Sequence, residues 1–532
     1  MSSLVRATAV MSVGTVISRV TGLLRIAAIA ATLGVAESRL ADTYTLANTA
    51  PNIIYELVLG GILTSVFVPV FVELLQKEGR ERAWEVASAI INISLVVLMA
   101  VTVIGIVGAP LLARFYTIGV PANEAEVQRH VLTFLLRLFI PQIIFYGIAA
   151  LTAGLLNAHK RFGPPMFTPI LNNISVIAVF VAFHQAYPAI GGLDEVTDRQ
   201  LWIMGIGTTA GVALMALAQL PFLRGHGRYR LTLHAGHPAV KRLATLSVFV
   251  IGYVITNQIG YLIVQVLAAG DQGGYAAYVN AFTFFMLPYG LFAVSIITAL
   301  LPGMSEHAVN DRWDDFRARL STGVRTTALL ILPAAVGYFV LGEPIIRFML
   351  ERGVMTSAST EKVAGVLQLF VVGLLPFSLF QLFLRAFYSL QDTKTPFLIN
   401  CAAVALNTAI NIPMFFLLGV RGLAAGHAIA YVAGAALQAR ALSRRIGGLD
   451  GRRVAAALAK IGAAAGVMGF LVWLTSRAVE RMLDPVTFLE QTVALVVPIG
   501  VGVVAYLGVA AALRVEELDY ARSLLTRRLG RG

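Results

Sequence analysis

Apolar runs of about twenty residues recur along nearly the whole chain, each long enough to cross a hydrocarbon core of about 30 Å as a helix. A membrane interior leaves a chain only two solutions, helices or a closed barrel, because every backbone donor and acceptor must be paired internally. The apolar residues here are continuous rather than alternating, which excludes the barrel. Composition agrees: 58% of the 532 residues are hydrophobic, 13% are charged and the mean hydropathy is +0.79, where soluble chains carry about a quarter charged residues. The pattern predicts an all-α polytopic membrane protein with about fourteen transmembrane helices, at about 7–34, 39–73, 84–112, 126–157, 165–187, 199–222, 240–268, 273–306, 316–343, 361–390, 396–418, 421–444, 453–478 and 487–514. The connections are too short for a separate soluble domain. The first run is too long for a signal-peptide core and lacks a small-residue cleavage site, so no cleaved leader is expected.

Lysine and arginine placement predicts orientation. Alternate loops carry Lys77, Arg80 and Arg82, then Lys160 and Arg161, then Arg224, Arg228, Arg230, Lys241 and Arg242, with further clusters at Arg312, Arg317, Arg319 and at Arg440, Arg444, Arg445, Arg452, Arg453. The opposite loops are sparse or acidic, as at Asp194, Glu195 and Asp198. Both termini are therefore expected on the cytoplasmic side. Basic loops beside spans also account for the net charge of +13, so nucleic acid is not an expected partner, whereas anionic lipid headgroups are. A single cysteine, Cys401, excludes an internal disulfide.

Two distant stretches are alike. Leu156 to Pro165 and Phe387 to Pro396 each end one span, cross a short polar turn and open the next span at a proline, 231 residues apart. Thr64 to Pro69 and Ile297 to Pro302 are alike at an offset of 233. These offsets predict two six-span halves in the same orientation, about 1–230 and 239–448, with two spans appended; this is a parallel-repeat plan.

Polar side chains inside spans mark candidate functional positions. They include Arg19 and Arg25 in the first span, Asp42 and Glu56 in the second, Arg137 in the fourth, Asn257, Gln258 and Gln265 in the seventh, Asn280 in the eighth and Arg385 in the tenth. A guanidinium near mid-bilayer costs about 2.5–3.5 kcal/mol on insertion scales, so it faces a wet cavity or a partner. Two readings follow: Arg19 or Arg25 pairs with Glu56 or Asp42 to hold helices together, or the arginines line a cavity that attracts an anion, phosphate being suited to their planar fork. Amides such as Gln368 and Asn407 read as helix–helix contacts. Pro51 with Gly60-Gly61 in the second span, and Pro288 with Gly290 in the eighth, predict bent helices at corresponding places in the two halves.

Ser18-Arg19-Val20-Thr21-Gly22-Leu23-Leu24-Arg25, Ala41-Asp42-Thr43-Tyr44, Pro51-Asn52, Ser65 to Pro69, Leu156 to Pro165 and Tyr388 to Pro396 together resemble the MurJ (MviN) family of lipid II flippases, in the MOP exporter superfamily. The likeness covers essentially the full chain. It implies two six-helix lobes around a cationic cavity, a groove formed by the last two spans (449–514) for an isoprenoid tail, and passage of a pyrophosphate-linked headgroup by alternating access. Residues 515–532 read as a basic cytoplasmic tail. The resemblance matches the family's cavity positions to Arg19, Arg25 and Asp42, and with the polar residues of the same stretches the substrate-binding set is Ser18, Arg19, Arg25, Asp42, Asn52, Glu56 and Ser65. The chain departs from many relatives in having Tyr55-Glu56 after Pro-Asn and Thr283 where they carry bases, which makes the implied cavity less basic; Tyr55-Glu56 with Gly60-Gly61 looks like the actinobacterial branch.

No phosphate-binding Gly-x-x-x-x-Gly-Lys-Ser/Thr loop occurs, so ATP hydrolysis is not expected, nor a cofactor, a metal or a catalytic set. The expected function is outward movement of lipid II across the bacterial cytoplasmic membrane, driven by a coupling ion or the membrane potential. The alternatives are a flippase for another polyprenyl-linked oligosaccharide and a multidrug or ion antiporter of the same superfamily.

Overall fold

The computed structural model describes residues 3–60, 68–188, 192–225, 227, 229–232, 238–483 and 487–518. It is helical throughout, with no strand among the described residues, and it divides into two compact units. The first, Met1–Ala276 with Leu350–Thr356, holds α1 (Ser3–Leu33), α2 (Leu40–Tyr55), α3 (Val68–Lys77), α4 (Gly79–Tyr116), α5 (Ala122–Phe139), α6 (Gln142–Ala158), α7 (Gly163–Ala186), α8 (Asp198–Leu217), α9 (Pro238–Ala269) and the start of α10 (Gly274–Pro288). The second, Ala277–Met349 with Ser357–Gly532, holds the rest of α10 and α11 (Val294–Val309), α12 (Trp313–Leu350), α13 (Ser357–Val372), α14 (Leu374–Ser389), α15 (Lys394–Leu418), α16 (Val420–Ile446), α17 (Gly451–Leu483) and α18 (Phe488–Ala512).

Among the described residues eleven helices are long and apolar enough to cross a membrane, or twelve when α13 and α14, bent by 47° at Gly373, form one span. Of the expected fourteen, the second and the seventh fall partly on residues whose backbone or side chains lie outside the described set. The second is interrupted: Pro51 removes a backbone donor inside α2, and Glu56–Gly60 winds into a wider π-helical segment. The seventh contributes only the shorter apolar helix Val254–Ala269 to the count.

Helix boundaries follow local chemistry. Thr197 with Gln200 opens α8 and Thr487 with Glu490 opens α18, each as a reciprocal capping box. Within the first unit helices approach closely through small residues. A Cβ on Gly147 would stand 2.1 Å from Leu98, and one on Gly211 would stand 2.7 Å from Asn172. Residues 350–356 join this unit through Glu37, which accepts from the Thr356 N–H and hydroxyl, both at 2.7 Å, and through Val354, whose N–H donates to the Ala31 carbonyl at 2.9 Å. In the second unit α17 and α18 pack on α12 around Leu329, Leu341, Met468 and Val472, where the Tyr506 hydroxyl donates to the Leu329 carbonyl at 2.7 Å. Arg325 of α12 is buried and pairs with Glu516 and Glu517, just beyond α18.

The sequence duplication is also a duplication of backbone geometry. After α6, Lys160 and Arg161 donate N–H bonds to the Asn157 and Leu156 carbonyls, and Lys160 takes a left-handed φ of 58°. After α14, Gln391 and Asp392 do the same to Tyr388 and Phe387, and Gln391 has φ 55°. Both turns are the same helix-ending motif, in an αL conformation that non-glycine residues seldom adopt. The π-helical segments Glu56–Gly60 and Tyr289–Ala293 stand 233 residues apart, the offset of the second pair of like sequences.

Asp392 secures the later turn. Its carboxylate accepts from the Thr395 N–H at 3.0 Å and hydroxyl at 2.8 Å, and pairs with Arg445 of α16 at 2.6 Å. Burial pulls this carboxyl up, but the Thr395 donors and Arg445 outweigh it and hold its pKa below the ordinary value. A depressed carboxyl contributes stability that is present above its unfolded pKa and is lost as pH falls through the folded one. Asp392→Ala is therefore expected to cost about 0.5–2 kcal/mol at neutral pH, with the gap from the unsubstituted protein closing as pH falls below about 4, measured as thermal unfolding in detergent.

Candidate functional site

The first-span arginines differ in surroundings. The Asn173 side chain of α7 donates to the Ser18 carbonyl at 3.2 Å and to the Thr21 hydroxyl at 3.0 Å, which fastens α1 between the two charges. Six residues of helix turn Arg19 and Arg25 about 120° apart. Arg19 is exposed, whereas Arg25 is half-buried and its Nε is enclosed without a hydrogen-bond partner. Among the described residues neither arginine lies within ion-pair distance of a carboxylate. The expected alternative of a helix-binding pair with Glu56 or Asp42 is thus not the arrangement found.

Arg25 instead acts electrostatically on Tyr44 of α2 and Tyr146 of α6. Both hydroxyls are already engaged. Tyr44 bonds Thr208 at 2.8 Å, and Tyr146 donates to Gln142 at 3.3 Å, while Gln142 donates to Thr209 at 3.0 Å. The Tyr55 and Tyr146 rings lie 6.0 Å apart. The guanidinium thus stands beside neutral polar groups that are held by one another, with its charge uncompensated.

Asp42 is fully buried and committed elsewhere. Its two oxygens accept from the Gly273 N–H at 2.6 Å and the Ala276 N–H at 2.8 Å, the otherwise unpaired donors that open α10. Gly273 has φ 70°, and a Cβ there would stand 2.4 Å from the Val35 carbonyl, so only glycine brings this turn against the carboxylate. Three residues earlier, Arg39 donates to the Ala269 carbonyl at 3.0 Å, the last of α9, and pairs with Glu124. A cation at the end of α9 and an anion at the start of α10 complement both helix dipoles. Sequence reasoning missed Arg39 and Glu124; the only signal was a base and an acid three residues apart at the head of a span.

The remaining positions are more dispersed. Glu56 is half-buried in the π-helical segment and forms no ion pair among the described residues; Asn52 is exposed; Ser18 contributes its carbonyl to the Asn173 bond; Ser65 lies outside the described residues. Thr283 donates its hydroxyl to the Val279 carbonyl at 2.9 Å, and Arg385 stands 5.8 Å from the Tyr388 ring centroid. Arg137 is exposed near the midpoint of the candidate span Ala122–Ala158, in the last turn of α5. A helix end offers a cation about 0.3–1 kcal/mol, less than the about 2.5–3.5 kcal/mol that its depth costs.

The family model described as "Lipid II flippase MurJ" matches residues 29–494. The chain is 27% identical over 525 residues to the Vibrio cholerae protein named "Probable lipid II flippase MurJ", covering 96% of each. It is 28% identical over 429 residues to the Burkholderia cenocepacia "Lipid II flippase MurJ", covering 79% of this chain and 80% of that one. Among solved structures, one titled "Lipid II flippase MurJ, inward closed conformation" shares the fold with a TM-score of 0.75 at 24% identity, over 97% of this chain and 99% of that chain. An inward-facing MATE multidrug transporter of the MOP superfamily shares it with a TM-score of 0.67 at 13% identity, over 81% and 95%. With the family model matched across most of its length, the chain belongs to the lipid II flippase MurJ family.

Proposed function

We propose that this chain moves lipid II, an undecaprenyl-pyrophosphate-linked peptidoglycan precursor, from the inner to the outer leaflet of the bacterial cytoplasmic membrane. Membership of the family supports the substrate. At the site the observation that carries the proposal is Arg25, a half-buried guanidinium whose Nε has no partner. A fork-shaped cation beside neutral hydroxyls suits a diphosphate, to which it donates two parallel bonds.

In this proposal the lobes of about 1–230 and 239–448 alternate access, and the last two spans, 449–514, guide the lipid tail. Exposed apolar side chains on α17 and α18, among them Phe470, Trp473, Val504 and Leu507, support that assignment. Arg19, Ser18, Asn52, Glu56 and Ser65 serve the headgroup more peripherally, and Asp42 keeps the start of α10 in place. Both termini are cytoplasmic in this proposal, and the polyanionic headgroup, travelling outward, is driven by the inside-negative potential, gaining about 2.3 kcal/mol per charge per 100 mV.

Depletion of the protein should lower the amount of lipid II accessible at the outer leaflet, and a plasmid copy should restore it; unchanged exposure would exclude the flippase reading. A charge-assisted hydrogen bond is worth about 1.5–3 kcal/mol, so Arg25→Ala is expected to weaken lipid II binding about 10–100-fold and to fail in complementation while folding normally. Full growth at normal expression would remove Arg25 from the site. Asp42→Ala is expected to behave differently, lowering thermal stability by about 1–3 kcal/mol because two buried N–H groups lose their acceptor, with transport falling in proportion to folded protein.

A further inference from the structure

The groove between α4 and α5 has no role in the mechanism above. Glu126, Arg129, His130, Thr133 and Arg137 recur at three- and four-residue steps, so they form one stripe along α5. Arg114, near the end of α4, joins them in lining a cavity of about 480 Å³. Arg129 is positioned by a bond from its Nε to the Thr117 hydroxyl at 2.8 Å. Arg114 and Arg137 are exposed, and among the described residues neither has a carboxylate within ion-pair distance. Three guanidinium groups thus face a single carboxylate, Glu126, which is itself exposed and unpaired among the described residues.

Pro110, Ala122 and Phe134 complete the lining of this basic groove, and α4, which supplies Pro110 and Arg114, exposes an apolar surface. Val103, Ile104, Val107, Leu111 and Phe115 of α4 are exposed, Val107 by 74% and Leu111 by 72%. A basic pocket set into a surface fit for acyl chains matches a ligand with an anionic head and apolar tails. The positive-inside bias does not account for it, since the charge distribution puts this end of α4 on the side opposite the basic loops.

We infer that the α4–α5 groove binds the phosphate headgroup of an anionic glycerophospholipid, with its acyl chains lying along the exposed face of α4. The inference is independent of the lipid II reading. Its test uses the full chain purified in detergent, stripped of lipid and titrated with phosphatidylglycerol under native mass spectrometry, with phosphatidylcholine and millimolar inorganic phosphate in parallel. At about fivefold per guanidinium, the Arg114→Gln/Arg137→Gln double variant should bind phosphatidylglycerol about thirtyfold more weakly. Lysine at both positions should restore most of the loss, and Glu126→Gln, measured on protein that runs as a folded monodisperse species, should tighten binding. Equal binding of phosphatidylcholine, displacement of the lipid by inorganic phosphate alone, or unchanged affinity in both the double variant and Glu126→Gln would overturn the inference.

Discussion

The constraint on which this structure depends is the cost of a polar group without a partner in hydrocarbon. It forces the chain into helices, and it turns every helix interruption into a problem that some side chain must solve. The α9–α10 turn shows the solution. Its freed carbonyl and amides are met by Arg39 and Asp42, two residues one helical turn apart at the head of α2. The same logic closes the α14–α15 turn, where Asp392 satisfies Thr395 and Arg445 together.

Much of this was legible in the sequence because the relevant signals are local. A span announces itself by its length of apolar residues, and twelve of the expected fourteen have counterparts among the described helices when the bent α13–α14 pair counts as one. Pro51 and Pro288 pointed to irregular helices, and each is followed by a π-helical segment, five residues on from Pro51 and directly after Pro288. The likeness of Leu156–Pro165 to Phe387–Pro396 became a likeness of hydrogen bonds and of a left-handed residue in each turn. What was not legible depends on partners far away in the chain. The acceptor role of Asp42 requires N–H groups more than two hundred residues on, and no spacing rule links them. For the same reason two acids and two bases in neighbouring spans suggested an ion pair, whereas the structure leaves Arg19 and Arg25 without carboxylate partners among the described residues.

Three arginines in or beside the spans differ in how the fold answers their charge. Arg39 is buried and answered by Glu124 and a helix-end carbonyl; Arg325 is buried and answered by Glu516 and Glu517. Removing one partner from such a pair strands the other and costs about 3–5 kcal/mol, so these sites are bound to the fold. Arg25 has no such answer: its neighbours are hydroxyls held by Thr208 and Gln142, and its Nε is unpartnered. Arg319 of α12 likewise has an enclosed Nε without a partner, so an open guanidinium is not unique to Arg25; what sets Arg25 apart is its place in the first span, beside hydroxyls that are already engaged. In the proposed function an anion arriving in the course of transport supplies Arg25 with the missing partner, and a diphosphate moving through the site would be stabilised at the step where it loses its water.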